Sequence, residues 1–163
     1  MNENTPSLPP LNLPPCEMRI SRHGDTVKVY DPLRHKDVVL TPEEYVRLHF
    51  VNFMRVRLHY PESVIANEMK IELNDTARRC DTVVFGAGGK PLMIVEYKAP
   101  HIQITQDVFD QIVRYNMVLH ARYLVVSNGI MHYCCMIDYI HGNYHFIAQI
   151  PDYRNIATDF SSN

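Results

Sequence analysis

Asp81, Glu96 and Lys98 are the residues of this chain whose types and spacing could do chemistry. Asp81 lies seven residues before Gly88, and Glu96 lies seven after Gly89, so a two-residue turn at the glycines would place the carboxylates directly opposite. Such cross-strand neighbours have Cβ atoms roughly 5 Å apart, where like charges repel unless a cation bridges them. Lys98 follows Glu96 by two positions and projects to the same face of its strand. The spacing predicts a metal site with a catalytic lysine.

Apolar residues accompany the acid pair on both strands. Val83 and Ile94 should share its face, while Val84 and Val95 occupy the other, so both faces of the hairpin are expected to be partly buried. Free charges would be costly there. A solvated cross-strand charge network is the alternative that spacing alone leaves open.

A long helix is predicted before this hairpin. Thr41 is the expected N-cap, with Pro42 in the first turn and Glu44 closing a capping box. The helix should run to about Tyr60, where Pro61 stops it. Its apolar residues lie nearly all round, which indicates a helix covered on more than one side. The capping box alone would explain Glu44, so a purely structural role is open for that residue.

Short connections predict three consecutive antiparallel strands, then a helix and one more strand. Their expected ranges are 64–73, 79–85 and 92–98 for the three strands, about 105–120 for the helix and 123–127 for the last strand. Hairpins over 18–30 and 131–147, with a further strand near 38–40, are expected at the periphery. The element order is therefore helix, three strands, helix, strand, in an α/β chain.

Composition limits the number of domains, the cellular compartment and the mode of nucleic-acid binding that we expect for this chain. With 163 residues, 46% of them hydrophobic, the chain should form a single domain over residues 17–163. Five prolines among the first fifteen residues indicate that residues 1–16 form a flexible or extended arm rather than a signal peptide. Four cysteines without a spaced framework favour a reducing, cytoplasmic setting, and no apolar run reaches the roughly 20 residues of a membrane helix. A net charge of -2 argues against bulk electrostatic binding of nucleic acid, so any basic surface must be local.

Three motifs carry a resemblance to a known family. Arg79-Cys80-Asp81 followed by Val95-Glu96-Tyr97-Lys98 resembles the Asp...Glu-x-Lys signature of the PD-(D/E)xK nuclease superfamily. Pro42-Glu43-Glu44-Tyr45-Val46-Arg47 is similar to the family's first-helix glutamate segment, and Gln111-Ile112-Val113-Arg114-Tyr115 has the Gln-x-x-x-Tyr spacing of RecB-like members. With Asn116 and Ser127-Asn128-Gly129, residues from about 41 to 129 resemble the N-terminal nuclease domain of type I restriction enzyme R subunits.

The resemblance implies a restriction-endonuclease-like fold, a three-layer α-β-α core with a mixed, centrally antiparallel sheet. It also implies a divalent-metal-dependent nuclease that hydrolyses DNA phosphodiester bonds. Asp81, Glu96 and the backbone carbonyl of Tyr97 would hold Mg2+ or Mn2+, with a direct or water-mediated contact from Glu44. Lys98 would orient or deprotonate the attacking water.

The second helix carries further expected site residues. A helical wheel places Gln111 on the face that should pack on the sheet, where its amide could bond to the Glu96-Lys98 strand or to a water of the metal. An ordinary buried glutamine, satisfied by backbone, is the alternative. Arg79, Arg114 and Tyr115 are expected to contact nucleic acid.

DNA is the partner that the resemblance implies, with other restriction or helicase-type subunits as further candidates. The main alternative function is a catalytically silent nucleic-acid-binding or assembly module that keeps the nuclease fold. A scaffold whose Pro-rich arm recruits partners is a third.

Two other motifs are set aside. The glycine-rich segment 86–90 links two strands and lacks the Ser or Thr of a phosphate-binding loop. The adjacent Cys134 and Cys135 should point to opposite faces of a strand, which disfavours structural zinc.

Overall fold

The computed structural model describes residues 8–73, 76–116 and 119–158, apart from the side chains at positions 71, 73, 76, 78 and 115. The predicted order of helix, three strands, helix and strand is confirmed. In chain order the elements are β1 Ile20–His23, β2 Thr26–Asp31, β3 Lys36–Val39, α1 Pro42–Arg57, β4 Ile65–Leu73, β5 Thr76–Phe85, β6 Pro91–Tyr97, α2 Gln106–Asn116, β7 Tyr123–Ser127, β8 His132–Asp138, β9 Asn143–Ile147 and α3 Tyr153–Ile156.

Six strands form the main sheet, in the order β4-β5-β6-β7-β8-β9. Strands β6 and β7 are parallel, whereas the other neighbours pair antiparallel. Strands β1 to β3 form a separate antiparallel sheet. The sequence predicted that the β8–β9 hairpin lies at the periphery. In the structure it extends the main sheet instead. Every residue of β7 is buried, so the strand needs a hydrogen-bonded neighbour on each side, and β8 supplies the second one.

The two long helices cover opposite faces of the main sheet. Phe50 of α1 packs in one core with Val95, while Phe109 of α2 packs in another with Ile94. Ile94 and Val95 are adjacent on β6 and both fully buried. The predicted burial of both strand faces is thus confirmed, and it explains why β6 is apolar at almost every position until Glu96.

Helix α1 begins directly after the predicted cap Thr41 but ends at Arg57, three residues before the predicted end at Tyr60. His59 takes a left-handed conformation with φ of 62°, and the Tyr60 N–H donates to the Met54 carbonyl at 3.0 Å. A residue in the left-handed conformation directly after the C-cap is a common helix ending. It turns Tyr60 back into the core, where the residue is 2% exposed.

The described part of the N-terminal arm, residues 8–16, lies against the body of the protein. Asn12 donates its N–H to the Gly129 carbonyl at 2.8 Å, and the Tyr45 hydroxyl donates to the Pro9 carbonyl at 2.9 Å. These hydrogen bonds attach to the domain a segment that the sequence predicted as a flexible or extended arm. Residues 1–7 lie outside the described part of the chain.

The four cysteines are unpaired, and Cys80, Cys134 and Cys135 are buried. As predicted, Cys134 and Cys135 project to opposite faces of β8, because they belong to the cores under α1 and α2 respectively. Within the described residues, no helix has the length and apolar character needed to cross a membrane.

Candidate metal centre

Strands β5 and β6 bring Asp81 and Glu96 together. Thr82 pairs with Val95 and Val83 with Ile94, so the next position in this register sets Asp81 against Glu96, as the spacing predicted. The turn differs from the predicted one. It spans residues 86–90 with a short 3-10 helix, and a register shift after Val84 compensates for the extra length.

Asp81 is oriented by two groups. Its Oδ2 accepts a hydrogen bond from the Tyr97 backbone N–H at 2.9 Å, and its Oδ1 lies 3.5 Å from Nη2 of Arg47. The first contact fixes the carboxyl against β6, and the second holds it towards α1. The side chain keeps 26% of its surface exposed.

Glu96 is a partly buried carboxyl placed beside another one. Burial, the negative charge of Asp81 and a hydrogen bond to Asp81 raise the pKa of Glu96 to about 9, against the opposing effects of Lys98 and Arg47. Burial beside Asp81 therefore favours the protonated form of Glu96 at neutral pH. A divalent cation can take the place of that proton, because it neutralises both carboxylates at once.

The donor set fits a hard divalent cation. Within the described residues, no group of three or more His, Cys, Asp or Glu side chains is arranged to hold a metal ion. Mg2+ is commonly held by one or two carboxylates, with water and substrate phosphate completing its shell. Asp81 and Glu96 supply two such carboxylates, and the backbone carbonyl of Tyr97 is the further donor expected from the sequence.

Lys98 follows directly after β6. Its backbone N–H donates to the Ser127 carbonyl at 2.9 Å, which extends the contact between β6 and β7 by one residue. Its positive charge opposes the rise in the pKa of Glu96.

Glu44 has a different environment from the one predicted. The Thr41 hydroxyl caps the Glu44 N–H at 3.1 Å, but the Thr41 N–H donates to the Val39 carbonyl rather than to the Glu44 side chain. The reciprocal half of the capping box is therefore absent, and that prediction was wrong. Glu44 Oε2 bonds to Arg34 at 2.7 Å, and Oε1 bonds to Arg47 at 2.8 Å. Both carboxylate oxygens thus have guanidinium partners.

Two residues at this centre, Arg47 and Glu68, were not among the predicted site residues. Arg47 is 5% exposed and lies in the first helix three residues after Glu44, a spacing that favours an ion pair on one helix face. That spacing could have revealed it. Glu68 of β4 lies 2.6 Å from Arg47 Nη2, and its backbone has φ of 58° in the middle of a strand. No local sequence signal predicts that conformation.

The other predicted residues lie on exposed surface or beyond the described side chains. Gln111 is exposed on α2, so the prediction that it packs on the sheet was wrong. Phe109 and Ile112 form the sheet-facing side of α2, and Gln111 is rotated from Ile112 by about 100°. Arg114 is exposed on the same helix. The side chain of Tyr115 lies outside the described part.

Arg79 of β5 is the predicted nucleic-acid contact nearest the acid pair in sequence. Its side chain is 60% exposed, and its Nη1 lies 3.7 Å from Oε2 of Glu68. On the neighbouring strand Arg79 pairs with Lys70. Lys70, the cross-strand partner of Arg79, is also exposed.

Comparison with known proteins gives a family and a fold. The family described as "Type I restriction enzyme R protein N terminus (HSDR_N)" matches residues 42–151, more than half of the chain. A solved fragment described as the HsdR subunit of a type I restriction enzyme from Vibrio vulnificus YJ016 is 15% identical, with a TM-score of 0.52. The alignment covers 74% of this chain and 26% of that one, so this chain spans about a quarter of the solved structure's length. No curated protein matches the chain.

Proposed function

The chain belongs to the family of type I restriction enzyme R protein N-terminal domains, and from this premise we propose that it is a divalent-metal-dependent nuclease acting on DNA phosphodiester bonds. The observation that carries the proposal is the acid pair: the β5–β6 register sets Asp81 opposite Glu96, and burial beside Asp81 raises the pKa of Glu96. Lys98 stands two residues further along. The proposal includes a restriction-endonuclease-like architecture, a cytoplasmic location supported by the unpaired cysteines, and other restriction subunits as partners.

Asp81, Glu96 and the Tyr97 carbonyl would hold Mg2+ or Mn2+. The cation supplies neutralisation of the negative charge that develops on the phosphate during hydrolysis. Both carboxylates are already held in place without the cation. The Tyr97 N–H and Arg47 orient Asp81, and the β5–β6 register sets Glu96 against it. A site held in this way needs little rearrangement when the cation binds.

Lys98 is the catalytic residue of the proposal. Its ammonium group acts on the same carboxyl pair that would hold the cation, and it can hydrogen-bond the attacking water and stabilise charge at the phosphate. The backbone bond from Lys98 to Ser127 fixes the start of this side chain on the edge between β6 and β7. Its backbone is therefore anchored to β7 directly after the end of β6.

Exposed residues around the centre would bind the DNA strand. Arg79 on β5 and Arg114 on α2 are both exposed and suited to phosphate contacts. Gln111 and Tyr115 complete the proposed set on α2 through the family resemblance. With so few cations, binding should lose less affinity with added salt than binding by a strongly basic protein does.

Cleavage of plasmid DNA in Mg2+ or Mn2+ tests the proposal when combined with Mn2+-dependent thermal melting. Lys98→Ala should abolish cleavage yet keep the Mn2+ stabilisation, because both acidic ligands remain. Asp81→Asn should lose both. Arg57→Ala, an exposed cation in the last turn of α1, is the control and should behave as wild type. Cleavage by Lys98→Ala at the wild-type rate, or none by wild type with either cation, would contradict the proposal.

A catalytically silent nucleic-acid-binding or assembly module is the second candidate. It is favoured by the environment of Glu44, whose carboxylate bonds to two guanidinium groups, those of Arg34 and Arg47, and is therefore less suited to a cation than Asp81, which has one. Such a module would bind DNA in gel-shift measurements but leave it intact. Lys98→Ala would then change neither binding nor cleavage.

A further inference from the structure

A row of alternating charges runs from the small sheet to the acid pair. Arg34, in the turn between β2 and β3, pairs with the Asp31 carboxylate and bonds both oxygens of Glu44, at 2.9 and 2.7 Å. Glu44 Oε1 in turn accepts a bond from Arg47 Nη1 at 2.8 Å. Two arginines from different layers of the protein therefore share one glutamate.

Arg47 is the inner end of this row. Its Nη2 lies 2.6 Å from Glu68 Oε1 and 3.5 Å from Asp81 Oδ1, so a single guanidinium nitrogen stands between two carboxylates. The guanidinium carbon also lies 5.7 Å from the centre of the Tyr97 ring. A planar group with several fixed donors can hold such an arrangement, which a lysine with one flexible ammonium cannot reproduce.

The backbone of Glu68 shows that this arrangement is enforced. Its φ of 58° interrupts β4 between two regular pairs, Asn67 with Thr82 and Met69 with Cys80. A non-glycine residue in this conformation costs about 1–3 kcal/mol and persists where the surroundings over-determine it. Of the two described ion pairs of Glu68, the one with Arg47 at 2.6 Å is closer than the one with Arg79 at 3.7 Å, and it favours this conformation. In this register Glu68 lies against Asp81.

Fixing Asp81 also fixes Glu96. Both oxygens of Asp81 are engaged, Oδ2 by the Tyr97 N–H and Oδ1 by Arg47, and Glu96 hydrogen-bonds to Asp81. The geometry of the acid pair therefore depends on a charge that belongs to α1. That charge is held in turn from outside the family-matched segment, because Arg34 precedes residue 42.

We propose that Arg47 is a positioning residue of the acid pair and that Arg34 anchors it through Glu44. The β2–β3 turn, which carries Arg34, then helps to position the metal ligands. The inference rests on the proposed function, since it takes Asp81 and Glu96 as the metal ligands. It also gives Glu44 a role: it orients Arg47 instead of touching the cation.

Metal affinity separates positioning from mere stabilisation. Removal of a purely structural ion pair lowers the melting temperature but leaves the Mn2+ dissociation constant of the folded protein unchanged. Loss of an outer-shell partner that orients a ligand typically costs 10–100-fold in metal affinity or activity. Titration calorimetry with Mn2+ on the full chain measures this constant without any turnover.

Three variants provide the test. Arg47→Lys keeps the positive charge but loses the planar guanidinium that contacts Glu44, Glu68 and Asp81 together. It should weaken Mn2+ binding by about tenfold or more. Arg34→Gln releases Glu44 without opening the core, and it should weaken binding in the same direction by a smaller factor. Arg55→Gln is the matched control on α1, because Arg55 pairs with Glu62 at 3.0 Å on the surface. It should bind Mn2+ as wild type does.

The outcomes are distinct. If Arg47→Lys does not fold, Arg34→Gln decides the question. Wild-type Mn2+ affinity in the folded arginine variants would overturn the inference, whatever their melting temperatures. If Asp81→Asn abolishes binding while the arginine variants do not change it, only the inference fails. If wild type itself does not bind Mn2+, the proposed function fails with it.

Discussion

The backbone N–H of Tyr97 donates to Oδ2 of Asp81 at 2.9 Å, which ties the acid of β5 to the strand that carries Glu96. One oxygen of the Asp81 carboxylate therefore accepts a backbone hydrogen bond that joins β5 to β6. The other is directed towards Arg47. The geometry of the acid pair is thus built into the backbone pairing of β5 and β6.

Asp81→Asn and Asp81→Ala separate these roles. Asparagine keeps an oxygen for the Tyr97 N–H and removes a charge beside Glu96, so in EDTA it should melt at or above the wild-type temperature. Alanine leaves the N–H without its acceptor and should lower stability by about 1–3 kcal/mol. Differential scanning calorimetry measures both. A lower melting temperature for asparagine than for alanine would contradict this account.

The raised pKa of Glu96 predicts a pH dependence of the metal-free protein. The unfolded carboxyl loses its proton near its ordinary value of 4.5, whereas the folded one keeps it to about 9. Between these values the folded state binds more protons, so stability falls as the pH rises and the loss is complete above the folded pKa. Glu96→Gln should flatten this fall when urea unfolding is followed in EDTA across the window. Equal slopes for the two proteins would disprove it.

Thr82 links the site strand to β4 through its hydroxyl. Its Oγ1 accepts from the Tyr97 hydroxyl at 2.9 Å and donates to Asn67 Oδ1 at 2.7 Å, and Thr82 is fully buried. Thr82→Val should cost about 1–3 kcal/mol in urea unfolding, because the buried Tyr97 hydroxyl and the partly buried Asn67 side chain both lose their bond. Thr82→Ser keeps the hydroxyl and serves as the control. It should cost clearly less than valine, and a reversed ranking would be inconsistent with this bond.

Gly129 supports the docked arm. It has φ of 85°, and an added Cβ would lie 2.7 Å from Leu11 Cδ2. Gly142 has φ of 67° with nothing within 4 Å of such a Cβ, so Gly142→Ala measures the left-handed conformation alone, about 1–3 kcal/mol. Gly129→Ala should cost more and should speed proteolysis of residues 8–16. Equal costs for both variants would show that the Leu11 contact is immaterial.

Local and periodic features were predictable from the sequence. The start of α1 at Thr41, the element order, the opposition of Asp81 and Glu96, and the division of Ile94 and Val95 between two cores all follow from caps, alternation and spacing. Each depends on a few neighbouring residues, which the sequence displays directly. The resemblance to type I restriction R subunits, read from motifs, is confirmed by the family match.

Only the tertiary structure determined the partners of the charged side chains. Glu44 bonds to Arg34 and Arg47 rather than to its own helix cap, and Glu68 takes a left-handed conformation beside Asp81. Gln111 faces outward because Phe109 and Ile112 fill the sheet side of α2. An ion pair forms between side chains that the fold brings within 4 Å, whatever their separation along the chain. The sequence therefore determined the elements and the acid pair, while only the packing of α1 between two sheets determined which groups hold that pair in place.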